Sequence, residues 1–196
     1  MRWENLFDDL ENQLASELEN EVDLRVEDER LRLAKLTLLD RLVALSAVDP
    51  TSSVRLVLTD GSRLSLTPSL FGADWCAGLS PGPGLRESFC IVPLEAVSGV
   101  ALSPDQIAAS LTPSGDATAA SPPSRGLRLG SILRDLCRRR ENVEIVGTSD
   151  RLFGTIDRVG DDHFDLAIHE LGTSRQQAKV SEIRLVPVAQ LLFVRV

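Results

Sequence analysis

Long hydrophobic runs are missing from this 196-residue sequence. No stretch approaches the roughly 18 consecutive apolar residues that indicate a membrane-spanning helix. The chain starts with MRWENLFDDLE, which has neither the basic region nor the apolar region of a secretory signal peptide. We therefore expect no membrane association and a cytoplasmic location. Arginine is used 19 times and lysine only twice, a composition typical of a bacterial genome of high GC content.

Cysteine is scarce as well. The three cysteines, Cys76, Cys90 and Cys137, are far apart and form no Cys-x-x-Cys pair. This spacing favours buried thiols over a disulfide framework or a zinc site.

Motifs of nucleophilic and phosphate chemistry are also missing. No nucleophile elbow presents a serine, and no glycine-rich loop precedes a helix. We predict a protein that is not an enzyme, with no catalytic residues and no cofactor.

The two histidines lie in a segment in which polar and apolar residues alternate. The polar residues that share one parity are Asp161, His163, Asp165 and His169. A strand would place them on one face and its apolar residues on the other. An outward polar face explains this pattern without a ligand, so we predict no metal site. A metal-dependent enzyme that uses His163 and His169 is the alternative.

An excess of positive charge is absent from the whole chain. Residues 1–30 contain eleven acidic residues and three arginines, which accounts for the full net charge of −8. Residues 31–196 carry 18 charges of each sign. Because affinity for a polyanion comes largely from Lys and Arg side chains that displace counterions, this balance argues against nucleic acid as the main partner.

Residues 1–48 have the pattern of an acidic amphipathic helical region. Apolar residues recur there at steps of three and four, namely Trp3, Leu6, Phe7, Leu10, Leu14, Leu18 and Val22. No Gly or Pro interrupts residues 1–49, so the pattern predicts helix to about Leu45, with a break near residues 23–29. The predicted docking residues are Trp3, Phe7, Leu10 and Leu14. They would bind a protein partner or a second copy; packing on the same chain is the alternative.

Two segments of the chain follow the same order of patterns. Residues 54–100 and 143–194 each contain an alternating strand, a polar turn, a second strand, a Gly-x-Asp step, a third strand and a Val-Pro pair. Gly72-x-Asp74 matches Gly160-x-Asp162, and the Val-Pro pairs lie at 92–93 and 186–187. Such self-similarity predicts two copies of one small β unit.

The organisation that follows is mainly β with helices, of the α+β class. We predict an acidic amphipathic helical region over 1–48 and a first small β-barrel over 49–111. A flexible linker rich in Pro, Ser and Ala follows over 112–126, and a helix with a second small β-barrel occupies 127–196.

Each copy resembles the Sm-like superfamily of LSm and Hfq-type proteins. In the second copy, RLFGTIDRVG from Arg151 resembles the bent second strand of that family, and DDHFDL from Asp161 resembles its Asp-x-x-Met-Asn motif. Residues 184–194 resemble its closing strand pair. The resemblance implies two tandem Sm-like or SH3-like small β-barrels, each with a helix before five bent strands. It also implies edge-to-edge assembly through fourth and fifth strands, so that two copies in one chain form a covalent pseudo-dimer.

The sequence departs from the RNA-binding members of that family. Asp165 stands where those members have Asn, and Val-Pro pairs occupy the loop that holds their cation. A carboxylate repels phosphate, so RNA binding is not implied. The barrel loops form a second candidate surface, made of Asp74, Trp75, Asp161, His163 and Asp165. Trp75 is interpreted either as a stacking platform for a base or as core.

We therefore predict a non-enzymatic interaction or regulatory protein. Its tandem Sm-like barrels carry an acidic helix that docks a partner or self-associates. The alternative is a nucleic-acid-binding regulator that uses the barrels and is autoinhibited by the acidic helix.

Overall fold

The structure, a computed structural model, describes residues 24–82, 86–112, 123–169 and 180–196. The chain divides into two compact units, residues 1–38 and residues 39–196. In the first unit, residues 24–35 form helix α1. On this helix Arg32 donates two hydrogen bonds to the carboxylate of Glu29, at 2.7 and 2.6 Å. An exposed pair three residues apart stabilises a helix by only about 0.2–0.5 kcal/mol.

The N-terminal helical region is not the long element that we expected. Helix α1 ends at residue 35, residues 36 and 37 are not helical, and helix α2 spans Leu38–Val48. Within the described residues the break therefore lies at 36–37, and residues 24–29 are helical. Thr37 immediately precedes α2, a position that favours threonine because its hydroxyl can accept a backbone N–H of the first turn. The predicted docking residues Trp3, Phe7, Leu10 and Leu14 lie outside the described residues.

The remaining described elements are ten strands and two helices, α3 (Pro104–Leu111) and α4 (Leu129–Arg139). The first five strands are β1 Val54–Leu58, β2 Arg63–Phe71, β3 Trp75–Pro81, β4 Glu87–Pro93 and β5 Val97–Ala101. The last five are β6 Asn142–Gly147, β7 Arg151–Val159, β8 His163–Ile168, β9 Glu182–Pro187 and β10 Leu191–Arg195. One-turn 3-10 helices, Leu94–Ala96 and Val188–Gln190, precede β5 and β10. A third, Pro123–Gly126, occupies the end of the predicted linker.

All ten strands belong to one antiparallel sheet, in the order β5-β1-β2-β3-β4-β10-β6-β7-β8-β9. In the first five strands, β1 pairs with β2 and β5, β2 with β3, and β3 with β4. In the last five, β6 pairs with β7 and β10, β7 with β8, and β8 with β9. The pairing scheme is therefore the same in both groups of strands.

The expectation of two closed small barrels is wrong, because the sheet is open. Strand β4 of the first group pairs with β10 of the second, with Ile91 opposite Val194 and Cys90 opposite Arg195. These two edges satisfy each other's backbone hydrogen-bonding groups, so the sheet continues from one group into the next. Strands β5 and β9 are left at its two ends.

A glycine lies at the tight turn between the second and third strands of each group. Gly72 N donates to Trp75 O at 2.9 Å, and Gly160 N donates to His163 O at 2.8 Å. A Cβ at Gly72 would lie 2.0 Å from the Trp75 indole nitrogen, and one at Gly160 would lie 2.8 Å from the His163 ring. Gly72 therefore has no room for a side chain between the buried Trp75 and the backbone of Leu127, whereas at Gly160 the partly exposed His163 ring would have to move.

Two hydrophobic cores lie on the sheet. Core 1 contains Leu42 and Leu45 of α2 together with apolar side chains of β1 to β4. Core 2 contains Leu129, Leu133 and Leu136 of α4, which recur at three- and four-residue steps and so share one helix face. The cores share the strands at the junction, since Cys90 and Val92 of β4 belong to core 1 and Ile91 to core 2. Side chains alternate across a strand, so β4 stabilises both cores at once.

None of the helices in the described ranges is long and apolar enough to cross a membrane.

Candidate functional site

Two residues of the predicted loop surface instead hold helix α4 in place. Trp75 is only 2% exposed and lies in core 2, and its indole N–H donates to Leu127 O at 3.0 Å. The Asp74 carboxylate accepts a hydrogen bond from Leu129 N at 2.7 Å. This contact satisfies a backbone donor at the first turn of α4, where a negative charge is favoured. Asp74 and Trp75 therefore contribute to the packing of α4, and Trp75 does not present its ring to a ligand.

The polar residues around β8 do not converge on one point. His163 is partly exposed, and its Nδ1 lies 2.8 Å from the Asp162 carboxylate. The hydrogen bond from His163 lowers the pKa of Asp162 below its usual value. His169 is buried, and its Nε2 lies 2.8 Å from Thr155 Oγ1. The described residues contain no group of three His, Cys, Asp or Glu side chains that could hold a metal.

Sequence reasoning missed an ion pair at the junction of the two groups of strands. Glu144 on β6 is buried and pairs with Arg195 on β10, and Arg151 lies 3.6 Å from the same carboxylate. The Arg195 guanidinium also lies over the Phe193 ring, 5.3 Å from its centroid. Burial raises the pKa of the neighbouring Cys90 thiol. A glutamate within the apolar strand NVEIVG was the available signal, because a buried charge requires a partner.

Cys76 on β3 and Cys90 on β4 are buried free thiols. Burial raises the pKa of Cys76 from 9.0 to about 12, because the buried site disfavours the charged thiolate. Cys137 on α4 is less buried.

The outer face of β9 is exposed and partly apolar, and the same face of β8 is partly exposed at His163 and Asp165 but buried at Ala167. Ile183 and Leu185 of β9 are 56% and 64% exposed, although they occupy a strand of the sheet. Ala167 lies opposite Ile183, Asp165 opposite Leu185, and His163 opposite Pro187. Directly opposite residues of an antiparallel pair share one face of the sheet. We call the surface formed by His163, Asp165, Ile183 and Leu185 the β9 edge surface.

The corresponding face of the first group is buried. Aligning the Val-Pro pairs of β4 and β9 places Ile91 at the position of Leu185 and Phe89 at that of Ile183. Ile91 is 3% exposed, because β10 pairs with β4 and core 2 covers this face. The same local pattern is therefore covered in one group and open in the other. Of the predicted site residues, His163 and Asp165 lie on the open face, whereas the exposed Asp161 precedes β8.

No known protein family, curated protein or solved structure matches this chain.

Proposed function

We propose that this protein is a non-enzymatic interaction protein made of two tandem Sm-like units, and that it self-associates through the β9 edge surface. The observation that carries this proposal is the exposure of Ile183 and Leu185 on a strand at the end of the sheet. An end strand presents unpaired backbone N–H and C=O groups along its outer side. With exposed apolar side chains it is a template for pairing with another chain.

The shared pairing scheme of the two strand groups supports the comparison with Sm-like units. Each group has its fifth strand beside its first, and its fourth strand at the other end. In the first group that fourth strand is covered by β10, whereas β9 has no further strand beside it among the described residues. A second copy of the chain supplies the missing strand in this proposal.

The charge pattern of the surface favours self-association over nucleic-acid binding. The β9 edge surface carries Asp165, and the exposed Arg158 of β7 lies directly opposite Asp165 on the same face of the sheet. Arg184, on the same strand, is held by Asp150 at 2.6 Å and by Glu182 at 2.7 Å. Phosphate binding requires an excess of cations that are available to the polyanion. Here Arg158 lies opposite an acid, and Arg184 is held by two, so the surface offers no such excess.

The test is the mass of the full-length protein in solution, measured by sedimentation velocity over a range of concentrations. We expect species larger than the 21.3 kDa chain, with a fraction that rises with concentration. Leu185→Asp should shift the protein to the monomer, because it places a charge among apolar side chains that association would bury.

Leu70→Asp is the matched control, since Leu70 is 45% exposed on β2, away from both ends of the sheet. It should leave the mass distribution unchanged. A wild-type protein that stays monomeric at every concentration would contradict the proposal.

A further inference from the structure

A cavity of about 520 Å³ lies between the first turns of the two groups of strands. Its lining includes Arg63, after the turn that joins β1 to β2, and Arg151, after the turn that joins β6 to β7. The more buried part of the lining includes Ser80 of β3 and Arg195 of β10. Cavities of roughly 300–1,000 Å³ are usual for small-molecule sites. No residue of the β9 edge surface lines this cavity, so the proposed self-association does not account for it.

Two buried polar atoms of this lining have no nitrogen or oxygen partner among the described residues. Ser80 is 2% exposed, and its Oγ makes no hydrogen bond to such an atom. The Arg195 side chain is 13% exposed, and its Nε is buried in the same way. Both side chains interact with the thiol of Cys90, whose sulfur is only a weak acceptor. Buried polar groups are normally paired, so these two indicate a ligand that supplies a stronger acceptor.

The charges around the cavity show what kind of acceptor fits. The lining contains three arginines and two acids, which are Arg63, Arg151, Arg195, Asp60 and Asp150. Their ion-pair partners outside the lining are Glu144, which Arg195 and Arg151 share, and Arg184, which lies 2.6 Å from Asp150. The four arginines and three acids leave a surplus of one positive charge. A monoanion matches this surplus, whereas a dianion does not.

Arg63 carries that surplus charge. It is exposed, and it forms no ion pair with any residue that the structure describes. The nearby Asp60 carboxylate accepts a hydrogen bond from Ser62 N at 2.9 Å, within its own turn. The Arg63 guanidinium is therefore available to an anion in the cavity.

We propose that this cavity binds a small molecule through a single carboxylate group. The carboxylate accepts hydrogen bonds from Ser80 Oγ and Arg195 Nε, and Arg63 balances its charge. Hydrogen bonds to an ionised group are roughly twice as strong as those between neutral groups. The serines of the lining, which provide hydroxyl groups for the rest of the ligand, are Ser62, Ser65 and Ser149. The ligand class is therefore a small polar monocarboxylic acid, and its site goes beyond the proposed self-association.

Acetate is the minimal probe of this site. The full-length protein, labelled with ¹⁵N, is titrated with sodium acetate near neutral pH, and the Arg195 Nε–H resonance is followed by NMR after triple-resonance assignment. A new hydrogen bond to a carboxylate should shift this resonance, and the shift should saturate with a Kd on the order of 10 mM or tighter. Sodium chloride at matched ionic strength should not reproduce the shift. A resonance that responds alike to the two salts, or to neither, would overturn the proposal.

Ser80→Ala separates a binding role from a structural one. Because the Ser80 hydroxyl has no nitrogen or oxygen partner, its loss should leave thermal unfolding without acetate unchanged. The Kd for acetate should nevertheless rise about tenfold or more, as expected for a lost hydrogen bond to a charged group. A lower melting temperature with an unchanged Kd would show that the hydroxyl only supports the fold, and the proposal would be wrong.

Arg63→Gln tests the charge, and Arg134→Gln is its matched control. Arg134 is an exposed arginine on α4 that does not line this cavity, and it also lacks an ion pair among the described residues. Arg63→Gln should raise the Kd for acetate several-fold, whereas Arg134→Gln should leave it unchanged. Equal weakening by both variants would show that acetate responds only to the overall charge, which contradicts a site at Arg63.

Inorganic phosphate tests the match to a monoanion. At slightly alkaline pH phosphate is mainly a dianion, so its second charge exceeds the surplus around the cavity. We expect phosphate to bind more weakly than acetate when the same Arg195 resonance is followed. Tighter binding of phosphate would overturn the assignment of a carboxylate ligand.

Discussion

The equivalent residues Ile91 and Leu185 allow the open end of the sheet to be tested by stability. Ile91→Ala removes a side chain that is 3% exposed and lies in core 2. Removal of a buried isoleucine typically costs about 2–5 kcal/mol, because transfer energy is lost and a cavity remains. Leu185 is 64% exposed, so Leu185→Ala should change the free energy of unfolding by no more than about 0.5 kcal/mol in the monomer.

Urea unfolding followed by far-ultraviolet circular dichroism measures both changes, at a protein concentration low enough to keep the chains apart. For a domain of about 150–250 residues, each kcal/mol shifts the melting temperature by about 2–4 °C, so thermal scans provide a second reading. When the concentration is raised, Leu185→Ala should become destabilising relative to wild type, since the wild-type protein gains stability from association. If Ile91→Ala and Leu185→Ala lose equal free energy of unfolding at low concentration, the conclusion that Ile91 lies on a covered face and Leu185 on an open face is wrong.

Three further predictions concern the start of α4, the thiol of Cys76 and the apolar residues of the N-terminal segment. Asp74→Ala should destabilise the fold by about 0.5–2 kcal/mol in urea unfolding, since it removes the hydrogen-bond acceptor at the start of α4. Asp162→Ala, at the equivalent exposed turn, should cost less than about 0.5 kcal/mol. Equal costs for the two variants would contradict the role of Asp74 in anchoring α4. The raised pKa of Cys76, about 12 against an ordinary 9.0, favours the folded state below pH 9, so stability should fall as pH rises from 9 towards 12. In a Cys76→Ala variant the part of this stability loss that comes from Cys76 should disappear. An unchanged dependence of stability on pH would show that the Cys76 thiol does not contribute to it. If Trp3, Phe7 and Leu10 bind a partner or a second copy, replacing all three with Ala should abolish partner capture or reduce self-association without lowering the melting temperature. A large loss of stability with assembly unchanged would instead show that these residues belong to a core.

Local pattern was sufficient for the strands and their turns. Alternation of apolar and polar residues over 54–58 and 163–168 predicted strands where β1 and β8 lie. The Gly-x-Asp steps predicted the turns at Gly72 and Gly160, and a side chain has no room at Gly72. These features depend on residues close in sequence, and a sequence records them directly.

Local pattern was not sufficient for the helical region or for Trp75. The absence of Gly and Pro over 1–49 predicted helix to about Leu45 with a break near residues 23–29, but the structure interrupts the helix at residues 36 and 37. The local sequence around Trp75, a residue just after a turn, is the same whether its ring is a stacking platform or part of a core. Its burial comes from α4 and Leu127, which lie more than 50 residues away in sequence.

Only the tertiary structure decided whether the strands close into barrels or form one open sheet. Backbone N–H and C=O groups are the same in every residue, so side-chain patterns do not state which edges pair. The pairing of β4 with β10 opens both expected barrels into one sheet. Ile91 and Leu185 show the consequence, because both are apolar residues at the same position before a Val-Pro pair. The sequence by itself determined that each belongs to a strand, and only the neighbouring strand decided that Ile91 is buried and Leu185 is exposed.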